Sequence, residues 1–142
     1  MKNAPFLSNR LQLKATTAED LQIISALLQD AIGKVGQIAW LPQSGILAMS
    51  LCRFSWETPD KPERHLCGMH FTSVTAFRAK GVTPQDSEQS FSILSIIQES
   101  PSQILITCAA GILFGVEVQK LDLHLQDRDK SWATAYVPHH HI

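Results

Sequence analysis

Apolar and polar positions are patterned most clearly between Gly36 and Glu57 (GQIAWLPQSGILAMSLCRFSWE), where two apolar runs flank Pro42-Gln43-Ser44-Gly45. Those four residues have the composition of a tight reversal, so the stretch predicts a β-hairpin. Its first arm places Ile38 and Trp40 on one face and Ala39 and Leu41 on the other. Trp40 is expected in the core, because tryptophan is highly buried on average. The second arm, Ile46 to Trp56, has the length of a central strand, and its apolar residues on both parities up to Leu51 predict cover on two faces. After Cys52 only Phe54 and Trp56 are apolar, against Arg53, Ser55 and Glu57. The strand is therefore expected to leave the core at that end.

Upstream, residues 1–10 read as a flexible arm, and Leu11-Gln12-Leu13-Lys14 alternates like a short edge strand. Thr16-Thr17-Ala18-Glu19-Asp20 carries a helix-start signal, since a threonine hydroxyl can accept a bond from an unpaired backbone N–H and acids follow where the helix dipole favours them. Leu21, Ile24, Leu28 and Ala31 then recur at helical spacing, and Gly33 is expected to end the helix in the left-handed conformation.

Downstream, Glu57 to Arg64 (ETPDKPER) is a surface loop by composition. His65 to Ala79 reads as a long strand whose apolar parity changes near Thr72-Ser73, the signature of a β-bulge. Gly81 and Pro84 end it. Phe91 to Gln98 matches both a strand and a 3,4 helical spacing, and its isoleucine content favours strand. Gln103 to Cys108 and Ile112 to Val118, joined through Ala109-Ala110-Gly111, predict a second hairpin. Beyond it, Val118, Leu121 and Leu125 fall at helical spacing while Leu121, Leu123 and Leu125 alternate; residues 118–127 are read as a short C-terminal helix. The order predicts an α+β fold: a bent, barrel-like antiparallel sheet of six or seven strands with the N-terminal helix packed on it.

Composition narrows the class of partner. With 142 residues the chain has the size of one domain, residues 11–142. Twelve Lys and Arg against thirteen Asp and Glu leave a formal charge of −1, no footprint for nucleic acid or an anionic membrane. No secretory signal and no apolar run of about 20 residues is present, which leads to the expectation of a soluble cytoplasmic protein. Cys52, Cys67 and Cys108 lie in apolar runs and never at CxxC spacing, so they read as buried free thiols.

The run LKATTAEDLQIISALLQDAIGKVGQIAWLP, the later RFSWE and HFTSVTAFRAKG, and the ending EVQKLDLHLQDRDKSWATAYVPHH together resemble a family of small alphaproteobacterial proteins of unknown function. The resemblance spans Leu11 to His140, most specifically Ala39-Trp40-Leu41-Pro42 and Ser131-Trp132-Ala133-Thr134. It implies one bacterial cytoplasmic domain and brings no activity, substrate or catalytic residue.

Candidate chemistry is sparse. Adjacent imidazoles of His139-His140-His141 on an extended tail point to opposite sides, and neither HxxxH nor HExxH occurs, so no metal or cofactor is expected. His65 and His70 stand at odd separation on one strand and should face opposite sides. GxSxG, GxGxxG and GxxxxGK[ST] are all absent. Asp122, Asp127 and Asp129, interleaved with Lys120, Arg128 and Lys130, read as a solvated face. What remains is a binding set, Arg53, Trp56, Arg78 and Trp132, because tryptophan and arginine are enriched at binding hot spots. Two functional classes follow: a non-catalytic module that contacts a protein partner or a second copy of itself, and a small-molecule binder or weak enzyme with a pocket between the sheet and the N-terminal helix.

Overall fold

The computed structural model describes residues 11–56, 60, 63–83 and 85–133, with side chains to Arg128. The predicted helix start is built as expected: the Thr17 hydroxyl accepts the Asp20 N–H at 3.1 Å, and the Asp20 carboxylate accepts the Thr16 N–H at 3.2 Å. The helix, α1 (Ala18–Leu27), buries Leu21 and Ile24. It ends earlier than Gly33, because Asp30 takes the left-handed turn, φ 68°, and its N–H donates to the Ile93 carbonyl at 2.7 Å. Gly33 serves packing instead, since a Cβ there would stand 2.4 Å from the Phe91 ring.

Among the described residues there are nine strands where six or seven are expected: β1 (Gln12–Ala15), β2 (Ile32–Leu41), β3 (Ile46–Phe54), β4 (Glu63–Phe71), β5 (Val74–Lys80), β6 (Ser90–Ser100), β7 (Gln103–Cys108), β8 (Leu113–Val118) and β9 (Leu123–Ala133). They form one open antiparallel sheet, in the order β1-β9-β4-β3-β2-β6-β7-β8-β5, and not a barrel. The predicted reversal at 42–45 joins β2 to β3, with Leu41 opposite Ile46 and Gly45 at φ 66°. The second hairpin turns through Ala110 and Gly111, both at positive φ. The single bulged strand expected from His65 to Ala79 is two strands: the parity change at Thr72-Ser73 marks a corner where Ser73 takes φ 58° and β4 gives way to β5, which pairs with β8 instead of β3 and β9. β9 and β8 turn beside it, the Thr72 N–H donating to the Asp122 carbonyl and the Gln119 N–H to that of Ser73. Bent in this way, the sheet carries one continuous core on its inner face, to which α1 adds Leu21 and Ile24, with Leu28 from its C-terminal cap.

Residues 118–127, expected as a short C-terminal helix, form no helix: they run from the end of β8 into β9. Leu121, Leu123 and Leu125 are buried at alternate positions, and β9 pairs with β4 and β1 on either side. Long-range pairing on both edges outweighs a local helical spacing that rested on three residues. Trp40 lies at the rim of the core, half-buried, its ring 6.3 Å from that of Phe77. Among the described residues no helix is long and apolar enough to cross a membrane.

The far end of β3 reverses the expectation that it leaves the core. Arg53, Phe54 and Ser55 are among the most buried residues of the molecule. Arg53 shares its parity with Leu47, Met49 and Leu51 and so points inward, where Asp127 of β9 meets it. The outer face of β3, in turn, is only half-covered and carries Ala48, Ser50 and Cys52.

Candidate functional site on the outer sheet face

On the outer face, the registers of β1, β9, β4, β3 and β2 line up two rows of side chains. One row runs Lys14, His124, His70, Ala48, Ala39; the next runs Gln12, Gln126, Gly68, Ser50. Where β2, β3 and β4 contribute only alanine, serine and glycine, the surface dips between the longer side chains around it. The dip is an open groove of about 510 Å³ whose lining includes Gln37, Ala39, Ala48, Ser50, Gly68, His70, Gln126 and Arg128. A Cβ built on Gly68 would meet nothing within 4 Å. The glycine therefore leaves space, and no backbone or packing constraint requires it.

At one end of the groove His70 and His124 stack nearly parallel, 4.7 Å between ring centroids and 5° between planes. His124 Nε2 lies 3.2 Å from Asp122 Oδ1, an ion-pair distance without hydrogen-bond alignment, since that oxygen is buried with no hydrogen-bond donor. Its other oxygen accepts from the Thr72 hydroxyl at 2.6 Å. That hydrogen bond, aided by His124 and Lys14, holds the Asp122 carboxyl below its ordinary value. Burial and the neighbouring His124 hold His70 below the usual imidazole value, against a smaller opposing pull from Asp122. At the other end Arg128 is exposed.

Directly beneath, on the inner face, Asp127 takes both of its oxygens out of play. Oδ1 accepts from Arg53 Nε at 2.9 Å, and Oδ2 accepts from Arg53 Nη2 at 2.7 Å and from the Leu11 N–H at 3.1 Å. Asp127 is thus 3% exposed rather than part of a solvated face. β9 carries extra residues beyond it relative to β4, a bulge between the Cys67–Asp127 and His65–Ser131 pairs.

The four residues singled out from the sequence do not share one surface. Arg53 is fully buried in its ion pair. Trp56 packs edge-on to Phe54 at 4.7 Å, and its indole N–H donates to the Gln29 carbonyl at the end of α1. Arg78 stands near the end of β5, exposed and 3.1 Å from Glu117. In register it is remote from Trp56, which lies beyond the Phe54–Arg64 pair at the start of β4. Trp132 stands opposite Arg64 in β9, and its side chain lies outside the described residues, as do His139, His140 and His141. His65 and His70 do face opposite sides, His65 buried and His70 exposed. Among the described residues no three His, Cys, Asp or Glu side chains gather as a metal site.

The groove residues were missed because their signal depended on strand parity. Once 121–127 is read as alternating, His124 and Gln126 fall on the outward parity with Arg128, and the run Ala48-Met49-Ser50 marks a strand with small residues on one face. The three cysteines are free, with Cys67 and Cys108 buried and Cys52 half-buried. Burial pushes the Cys67 and Cys108 thiols up to about 12 and raises Cys52 as well, the last against the lowering effect of Arg64.

Neither the curated proteins nor the solved structures contain a match to this chain. Residues 11–140 match the model of DUF2948, a family described as proteins of unknown function, and with nearly its whole length covered the chain belongs to that family.

Proposed function

We propose that this protein is a non-catalytic interaction module of the bacterial cytoplasm and that its contact surface is the outer face of β2, β3, β4 and β9 around the groove. The observation that carries the reading is the open floor at Gly68, where a central strand leaves side-chain space unfilled between hydrogen-bonding neighbours. At about 510 Å³ the groove has the size of a binding site. It is open along its length, which suits a polypeptide segment lying flat on small residues better than an enclosed ligand. The glutamines, Ser50 and His70 offer that segment donors and acceptors. The other class of function, with a pocket between α1 and the sheet, finds less support, since Leu21, Ile24 and Leu28 occupy that space as part of the core.

The test uses Gly68→Leu, which fills the groove without meeting another atom at its Cβ. Protein crosslinked to the wild type in its native host and identified by mass spectrometry should fall at least tenfold with the variant, while the melting temperature stays within a few degrees. Self-association, if the partner is a second copy, should fall equally in sedimentation. Recovery of the same partners at the same yield with an intact Gly68→Leu protein would refute the reading.

A further inference from the structure

We infer that the occupant of the groove is an extended acidic peptide segment, its carboxylates directed to His70 at one end and to Arg128 at the other. The inference rests on the groove being the contact surface and adds the chemistry of what enters it.

Charge is the first argument. Among the described residues the ionisable side chains lining the groove are His70, Asp127 and Arg128. Asp127 is spent on Arg53 and the Leu11 N–H, so it offers an incoming chain no free acceptor. Arg128 is exposed, and no carboxylate of the described residues lies in ion-pair range of it. An exposed arginine at the end of the groove away from Asp122, where the nearest lining carboxylate is already paired with Arg53, favours an anionic visitor, which it can hold bidentately.

Geometry is the second. Gly68 pairs with Gln126, and from that row His70 lies two residues on along β4 while Arg128 lies two residues on in the opposite direction along β9. The two groups are thus separated by roughly 13 Å, four strand steps of about 3.3 Å. One carboxylate cannot reach both, whereas an extended segment with acids four residues apart can. Between them, Ser50 and Gln126 face the peptide's own backbone groups.

His70 adds a graded response. The groups facing it are His124 and Asp122 from the β9 side and Lys14 beyond them on β1, while its β3 neighbour Ala48 carries no charge. A carboxylate placed against His70 favours its protonated form, so the acidic end should bind more tightly as the solution becomes mildly acidic.

The test is chemical-shift mapping of the full chain at low salt with three acetylated, amidated octapeptides, (Glu-Ala)4, (Gln-Ala)4 and (Lys-Ala)4, and with free glutarate. The glutamate peptide is expected to shift the amides of Ser50, Gly68 and Gln126, to bind at least tenfold more tightly than the glutamine peptide, and to lose that preference in Arg128→Glu. Equal binding of the glutamate and glutamine peptides would overturn the acidic specificity and leave the groove reading standing. No shift in the groove with any peptide would remove both. Tighter binding of the lysine peptide, or glutarate matching the glutamate peptide, would overturn the inference in favour of a basic segment or a small diacid. Because Arg128 is exposed, Arg128→Glu should keep the fold; an unchanged preference in that folded variant would equally refute the assignment.

Discussion

The two faces of the sheet at β3, β4 and β9 carry ion clusters that come within three residues of each other along β9, at His124 and Asp127, and are opposite in character. Inside, Arg53 and Asp127 are 0% and 3% exposed and locked by two hydrogen bonds of 2.9 and 2.7 Å. Outside, His70, His124 and Asp122 are held by one stack, one off-axis contact and one threonine. The inner cluster is surrounded by the core and has one arrangement. The outer cluster borders water and a groove, and within it His70 and Asp122 are both held below their ordinary values by their neighbours. A strand that alternates thus assigns rigidity to one parity and responsiveness to the other.

The largest effect should come from breaking the inner pair. Asp127→Ala leaves a buried guanidinium without its carboxylate and should cost about 3–5 kcal/mol. The double replacement Arg53→Met with Asp127→Leu should recover part of that loss, because it removes both charges from the interior. Denaturant midpoints of the three proteins decide it. A loss below about 1 kcal/mol for Asp127→Ala, the range of exposed pairs, would show that the pair is solvated.

The cysteines sample the same two faces and should react in the same order. Cys67 is sealed on the inner face, Cys52 is half-buried on the outer one, and both thiols are held in the protonated form above their ordinary values. Labelling of the native protein at neutral pH should be slow throughout, reach Cys52 first, and reach Cys67 and Cys108 at the rate of unfolding. Cys67 labelling as fast as Cys52 would show that the inner face opens independently of the rest.

The smallest effect is the pH dependence of the outer cluster. His70 has a folded value below its unfolded one, so between the two the unfolded chain binds more protons. Stability should therefore fall as pH drops from about 6.5 through the folded value of His70, and that slope should be absent from His70→Gln. Asp122 is also depressed, so its contribution is present above about 3.9 and disappears as the solution is acidified through its lower folded value. Thr72→Val should bring that acid loss to higher pH, since it removes the leading hydrogen bond. Melting temperatures across pH 3 to 8 check both, and a wild-type slope identical to that of His70→Gln would mean His70 is unperturbed.

Local signals were legible wherever a few neighbouring residues decide the outcome. The Thr17 cap, the Pro42–Gly45 reversal and the turn at Ala110-Gly111 each depend on the backbone preferences of two to four residues, and each stands where the sequence places it, whereas the bulge expected within one strand at Thr72-Ser73 is a corner between two strands. The edge strand at Leu13 and the strand at Phe91 to Gln98 follow from alternation and composition. The candidate set Arg53, Trp56, Arg78 and Trp132 rests on residue type and on strand ends expected to leave the core, and neither says which way a side chain points.

What only the tertiary structure decided is which elements pair and therefore which parity is inside. Residues 121–127 satisfy a helix and a strand equally well until β4 and β1 supply partners on both sides; then Leu123 and Leu125 turn inward and His124 and Gln126 are brought beside His70 and Gly68. Arg53 reads as a surface residue until Asp127, 74 positions later, neutralises it in the core. Caps and turns are set by energies within one turn of chain, whereas a buried ion pair and a groove floor depend on contacts between distant strands that no local pattern specifies.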